Sequence, residues 1–423
     1  MNPRPVGECL WLEGHVGVPS AAEPPAKTDV AIVGGGYTAL AAARALARGG
    51  ATVVVLERET IGWGASSRNG GMVLAGYKAE PTALLRMYGP ERGRTLFEET
   101  LRAIDFVELL VGDEAIACDW RRAGHITLAA RPRHYHELER QRTLLSREFG
   151  YETELLGPER LGEEIGSRRY FGGLLDSRAG AVQPARYLAG LAGAAARAGA
   201  LLVEGTGVLK ILRGARGFRV ITNRGTIDAG DVLFATNGYT QRLLPWLARR
   251  IVPVGSYIIA TEPLSPDLQR ELIPRARMLS DTKNLLYYFR LSPDGRMVFG
   301  GRAAFVPTAI ERSREMLRRG MVEVFPQLES AAVEYAWGGT LGFTLDQMPH
   351  AGRHEGVAYA LGYGGHGVAM ASWLGDRVGC AMGGSTPWPT LAGIPFPAVP
   401  GYWGRPWFLP LAGAYYGLKD RIL

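Results

Sequence analysis

The stretch DVAIVGGGYTALAAARALARGGATVVVLE, residues 29–57, leaves little freedom in how the chain begins to fold. Asp29 to Val33 reads as a strand, a glycine turn follows, then an Ala-rich helix stopped by Gly49 and Gly50, then a second strand from Thr52 to Leu56. Gly34, Gly36 and Ala39 hold the places of the dinucleotide fingerprint. Small residues there permit a tight turn, let a pyrophosphate reach the helix N-terminus, and allow the helix to lie close on the strand. Glu57 follows Gly34 by 23 residues, where a carboxylate can accept hydrogen bonds from a ribose diol, with Arg58 beside it. A glycine triplet alone is common. Between a strand and a helix, with the carboxylate in place, it predicts a dinucleotide site.

NAD and FAD enzymes share such an opening, and the next segment separates them. After two strands the chain enters IGWGASSRNGGM, a run too rich in glycine for a helix or a central strand. A flat tricyclic ring needs close backbone approach and hydroxyl or amide donors, which Ser66, Ser67, Asn69, Gly70 and Gly71 supply, with Arg68 and Met72 in the same run. Arg68 itself, if buried, requires an anionic partner such as a phosphate or a substrate carboxylate. Near the other end of the chain, GYGGHGVAMA places Gly364, Gly365, His366, Gly367 and Val368 at the start of a helix. The positive end of that helix can stabilise charge on the N1/O2 edge of a reduced flavin, with His366 at the edge. A plain strand-to-helix turn is the other reading of this segment.

With 423 residues, two domains sharing an interface are expected. Helices are predicted around Pro90 to Val111, Arg133 to Phe149, Pro184 to Ala198 and Thr308 to Phe325. Extended segments are GHITLAA, LLVE, GVLKILR, FRVITN, DVLFATNG, VPVGSYIIATEP, NLLYYFRL, RMVFGG and EYAWGGTLGFT. Residues 1–28 read as an arm whose Trp11 docks on the body. The tail from Pro387 holds seven prolines among aromatics, so it reads as a segment without regular helix lying across the body, with a membrane- or partner-touching tail as the alternative. The net charge of +7 is spread without a basic block, so no nucleic-acid partner is expected. Three cysteines, Cys9, Cys118 and Cys380, lie far apart, which argues against a disulfide scaffold and a zinc site and fits a reducing, cytoplasmic setting. No signal peptide or membrane span is read; YLAGLAGAAARAGALL, interrupted by Arg197, reads as a packed helix.

Taken together, GGGYTA with Glu57, IGWGASSRNGG, ATNGYT, NLLYYFRLSPDGRMVFGG and GYGGHGVAMA resemble the FAD-dependent amine and amino-acid oxidoreductases of the D-amino-acid oxidase superfamily. The nearest likeness is to the γ-glutamylputrescine oxidoreductase-like group, over nearly the whole chain. The resemblance implies a mixed α/β fold: a discontinuous Rossmann-like FAD domain (residues 29–80, 184–245 and 340–385) and a substrate domain on a mostly antiparallel sheet (81–183 and 246–339), followed by the tail, 386–423. It implies that Gly34, Gly36 and Glu57 bind the ADP half, that Val208 meets the adenine, that Thr236 and Gly238 lie on a second FAD loop, and that Ser66 to Met72 pass beside the isoalloxazine. Two departures matter. Gly339 stands where sarcosine oxidases carry the cysteine that attaches FAD, so FAD is expected to be noncovalent. Ala369 stands where they hold the substrate carboxylate with a lysine, which favours a longer amine. The strand RMVFGG also lacks a lysine like the one associated with oxygen activation.

Amine oxidation of this kind passes hydride to flavin N5 and leaves an imine that water hydrolyses, and no protein acid or base is obligatory when the amine binds deprotonated. His366 is the candidate at the flavin edge; Tyr257, Tyr287, Tyr288, Arg290 and Trp337 are candidates to line the substrate pocket, with core packing as the equal alternative for the aromatics. Three functions follow: an amine oxidase using O2 and releasing H2O2, a dehydrogenase passing electrons to a quinone or protein acceptor, and a flavoprotein whose FAD is structural.

Overall fold

The computed structural model describes residues 7–14, 17–18, 20–240, 243–301 and 309–422; Thr308, read above as a helix start, lies outside them. Strand Lys27–Val33 pairs in parallel with Val53–Leu56 on one side and Gly225–Phe234 on the other. Leu201–Val203 and Val357–Leu361 extend the parallel set outward, and His350–His354 closes one edge antiparallel. All of Val53–Leu56 is buried, as the apolar run VVVL requires of a strand covered on both faces. An antiparallel ribbon, Val208–Arg213 and Phe218–Thr222, hangs from Gly225–Phe234.

The second sheet also has eight strands, in the order Val333–Phe343, Val252–Pro263, Arg296–Gly301, Tyr287–Leu291, Met278–Asp281, His125–Leu128, Gly173–Asp176 and Glu154–Leu156. Every pairing in it is antiparallel except Met278–Asp281 with His125–Leu128. Phe289 and Phe299 stack on one face at 5.3 Å, under Leu317, Met321 and Val324 of helix Ile310–Val324.

Small residues let two helices approach on the first sheet. Helix Tyr37–Arg48 buries Ala39, Ala41, Ala42 and Ala43 and lies against Gly367–Met382. A Cβ built on Gly375 would stand 2.3 Å from the Thr38 carbonyl oxygen, so the two backbones are as near as glycine permits. Pro184–Arg197 packs on the same layer, with Leu188 and Leu191 buried.

The helix read from Pro90 starts there: Gly89 takes φ 77° and breaks Pro81–Asp113 into two helical stretches, the first of which the sequence reading did not include; a proline opening a helical turn lacks only an N–H that has no partner there. One expectation needs correction. The tail is not free of regular helix: Leu409–Ile422 is helical. Its seven prolines all precede that helix or fall in its first turn, at Pro410, so none interrupts it. The tail does lie on the body, through Tyr402, whose hydroxyl donates to Ile251 O at 2.9 Å. Trp11 docks as well, being 2% exposed. Among the described residues, no helix is long and apolar enough to cross a membrane.

The helix contact gives a prediction. Gly375→Ala should lower stability by about 1–3 kcal/mol through overpacking, read as a lower urea midpoint at unchanged slope. Gly383→Ala, whose Cβ would meet nothing nearer than 3.5 Å, should stay within about 0.5 kcal/mol of the parent.

Candidate active site

The three central parallel strands end at Val33, Leu56 and Phe234, and all three residues border one cleft. That is where open α/β sheets bind ligands. Gly34 takes φ 102° at its floor, and its missing Cβ would lie 3.1 Å from Ala235 O. The Glu57 carboxylate crosses under the turn, accepting Gly35 N–H at 2.7 Å and Glu59 N–H at 3.0 Å. Burial raises its pKa above the usual carboxylate value, against the pull of those amides and Arg58. Gly36 precedes helix Tyr37–Arg48, whose first N–H donates to Ser66 Oγ at 3.1 Å. The Ser66 hydroxyl thus caps the helix from a distant loop. Gly34, Gly36, Glu57, Arg58, Ser66, Val208 and Thr236 all line the cleft. Ala39 and Gly238 do not: Ala39 is sealed in the helix layer, and Gly238 backs onto the Leu341 carbonyl behind the wall.

The loop that follows is folded on itself. Asn69 donates to Ala65 O and Ser66 O at 3.1 and 2.9 Å, and its Oδ1 accepts Gly71 N–H at 2.8 Å. Ser67 donates to Gly62 O at 2.6 Å and faces neither cavity. Much of the glycine content is demanded by protein neighbours. A Cβ on Gly62 would strike Leu188 at 2.0 Å; Gly64 has the Tyr239 ring at 2.7 Å. Gly71, at φ 69°, has Val182 O at 2.1 Å. Arg68 donates from Nε to Trp63 O at 3.0 Å, but its buried Nη1 has no hydrogen-bond partner among the described residues.

Arg68, Asn69, Gly70 and Met72 then face a second cavity, of about 960 Å³, and Ala65 borders both spaces. Gly364, Gly365, His366 and Val368 form its edge at the N-terminus of helix Gly367–Met382, where His366 is the capping residue; Gly367 itself lies against Tyr363, outside the lining. The floor is the second sheet. Lining residues run from Gly339 and Leu341 on Val333–Phe343 to Leu174 and Asp176 on Gly173–Asp176. These strands are six spacings apart, about 29 Å.

Of the five residues read as pocket-lining, Tyr288 alone borders this cavity, its hydroxyl 3.1 Å from Ser256 Oγ. The other four are corrected by strand alternation and packing. Ser256 and Ile258 face the cavity, so Tyr257 between them points into the opposite core. Tyr287 likewise packs on that core, beneath the Lys283 ammonium at 3.7 Å. Trp337 is fully buried, edge-on to Trp11 at 6.1 Å. Arg290 donates to Val182 O at 2.7 Å over the Trp11 ring, and burial lowers its pKa to about 9.

The sequence reading missed the far side of the cavity, which three separate segments assemble. His125 Nε2 meets Ser280 Oγ at 3.0 Å, His134 Nδ1 meets Thr282 Oγ1 at 2.6 Å, and Tyr151 donates to Asp176 Oδ1 at 2.5 Å. Burial lowers His125 to a pKa of about 4, so it is neutral at pH 7. No local pattern marks any of these residues.

The two spaces fit FAD. A turn without side chains at a helix N-terminus, a carboxylate beneath it, and a passage along Ala65 to a donor-bearing loop are what a dinucleotide joined to a flat ring requires. Cys9, Cys118 and Cys380 border neither space, and Gly339 does border the second. Acid precipitation should therefore release the flavin completely into the supernatant; colour retained in the pellet would show a covalent bond.

Comparison with known proteins agrees with this geometry. Residues 29–380 match the FAD dependent oxidoreductase (DAO) family. The oxidoreductase OrdL of Haemophilus influenzae is 34% identical over 385 residues, 89% of this chain and 88% of that one. The γ-glutamylputrescine oxidoreductase of Escherichia coli is 33% identical over 400 residues, 93% of each chain. Among solved structures, glycine oxidase from Geobacillus kaustophilus superposes with a TM-score of 0.72 at 23% identity, covering 90% of this chain and 99% of that one. L-Proline dehydrogenase from P. horikoshii gives 0.71 at 23%, covering 87% and 96%. These likenesses in shape establish the mixed α/β fold. With the fold, the dinucleotide cleft and the family match in agreement, the chain belongs to the FAD dependent oxidoreductase family, with FAD as its cofactor.

Proposed function

We propose that the protein oxidises an extended primary or secondary amine of the γ-glutamylputrescine type, with O2 as acceptor and H2O2 as product. The observation that carries this reading is the cavity floor that spans seven strands of the second sheet. The ring would take the end bordered by Arg68 and Gly365; of the remainder, a site for glycine alone would leave most to water, whereas a long amine with a polar far end reaches along the floor. The likeness to a γ-glutamylputrescine oxidoreductase over 93% of the chain supports the same class. Segments 29–80, 184–245 and 340–385 would hold the cofactor, and 81–183 and 246–339 the amine.

FAD, when bound, supplies hydride acceptance. The chain's own residues bind and orient. Gly34, Gly36, Glu57, Arg58, Ser66, Val208 and Thr236 would hold the nucleotide half. Arg68, Asn69, Gly70, Met72, Gly364, Gly365, His366 and Val368 would border the ring, with the helix N-terminus behind His366 directed at its negative edge. Tyr288 and Ser256 would position the reacting carbon, and water would hydrolyse the imine. Lys78, packed against Gly364 and lining the cavity, supplies a cation that favours reduced oxygen, although strand Arg296–Gly301 carries no lysine. A dehydrogenase is the second reading, favoured by Trp403 and Trp407, which are 64% and 65% exposed and offer an acceptor an apolar surface.

Anaerobic mixing with γ-glutamylputrescine, putrescine, sarcosine, glycine and pipecolate should bleach the flavin with the first fastest. Admitting air should restore the colour with one peroxide per amine. Reoxidation that is slow in air and fast with a quinone would establish the dehydrogenase, and a flavin that no amine bleaches would refute the proposal and leave FAD as a structural element.

A further inference from the structure

The turn between strands Met278–Asp281 and Tyr287–Leu291 walls the second cavity through Thr282, Lys283 and Leu286. It has no ladder of its own: at its base Asp281 Oδ1 accepts Lys283 N–H at 3.2 Å and Tyr287 N–H at 3.1 Å, while the amides at its tip are held from outside. The Asp420 carboxylate accepts Asn284 N–H at 2.9 Å, Asn284 Nδ2–H at 2.7 Å and Leu285 N–H at 2.8 Å. The Asp420 carbonyl accepts the Arg131 guanidinium, and Arg131 caps helix Pro132–Phe149, which contributes His134, Leu138 and Gln141 to the adjoining wall. The two walls meet at Thr282, whose hydroxyl contacts His134 and accepts Ala130 N–H at 3.1 Å. The C-terminal helix is seated for this by Leu409 and Tyr416, which pack with Val252, Val254 and Leu285.

We infer that Asp420 is a positioning residue for the substrate: it holds the 282–286 turn and the start of helix Pro132–Phe149 at the separation with which the cavity grips an amine. Charge-assisted bonds to three N–H groups of one irregular turn fix that turn far more firmly than neutral contacts. The inference rests on the proposed amine reading of the cavity. Asp420 borders neither cavity, so its loss leaves Arg68, Gly365 and Tyr288 in place. Binding should therefore weaken while the reacting end stays intact.

The test uses the purified holoenzyme, with γ-glutamylputrescine or whichever panel amine bleaches the flavin fastest. Asp420→Ala should raise KM about tenfold with kcat within about twofold and with FAD content unchanged. Asp420→Asn, which keeps a carbonyl acceptor, should recover part of the loss. Hydrogen exchange at the Asn284 and Leu285 amides should quicken at least tenfold in Asp420→Ala. An unchanged KM beside faster exchange would overturn the inference, as would KM, kcat and FAD content all deteriorating together, which marks a structural role. A parent enzyme that no amine reduces would remove the reading beneath it, and shows itself before any variant is made.

Discussion

Two indole N–H groups fix the place where the two sheets meet. Trp11, from the N-terminal arm, donates to Asn69 O at 2.9 Å, and Trp337, from an edge strand of the second sheet, donates to Arg68 O at 2.9 Å. Each bond adds only about 1 kcal/mol net, but a buried carbonyl stripped of its donor costs more than the bond supplies. The rings meet edge-on, and Arg290 lies over Trp11, with the Asp119 carboxylate near enough to favour its charge but too weak to offset burial. That buried cation is tolerable because Val182 O accepts from it and the indole face offers negative charge. The conformation of residues 68–72, and so one wall of the second cavity, follows from this arrangement.

Ser66 carries the constraint to the other side. Its hydroxyl satisfies the first N–H of helix Tyr37–Arg48, and a Cβ on Gly36 would fall 2.8 Å from that oxygen. The dinucleotide turn and the glycine loop are therefore one unit, although 29 residues separate Ser66 from Tyr37. Asn237 extends it, its Oδ1 accepting Gly362 N–H at 3.0 Å and tying the second loop to the strand that leads into the GHG turn. Displacing any of these contacts would be felt in both cavities, since Ala65 borders both.

What the sequence revealed was local. Gly34, Gly36 and Glu57 are legible because a turn, a helix start and a strand end within one βαβ unit have fixed spacing. Alternation along Tyr287–Leu291 is legible too, yet its phase is not: nothing in YYFRL says that Tyr288 and not Tyr287 faces the cavity. The glycine loop was read as making room for a ring, but Gly62, Gly64 and Gly71 make room for Leu188, Tyr239 and Val182, partners that only the folded chain brings near. The tail helix was hidden by the proline count, because what matters is that Pro410 falls in the first turn. His125, Asp176 and Asp281 converge from separate strands and could not have been found from spacing.

The distribution of charge in the second cavity bears on how an amine is made ready. Arg68 belongs to the glycine loop and Lys78 packs on Gly364, so the end nearest the proposed ring carries cations. Asp281 and Asp176 lie toward the other end of the floor, and burial raises the pKa of both carboxyls. A cationic surrounding lowers the pKa of an amine brought to it. In the proposed amine oxidation the reacting nitrogen would then be favoured as the free base, the form that can be oxidised, without a protein base to remove its proton. At the far end an ammonium would be welcome, because it adds counter-charge to buried carboxyls that otherwise draw on Lys283, for Asp281, and on the Tyr151 hydroxyl, Arg178 and the backbone, for Asp176. A substrate with a nitrogen at each end would thus be sorted by end, protonated where the carboxyls lie and neutral where hydride leaves.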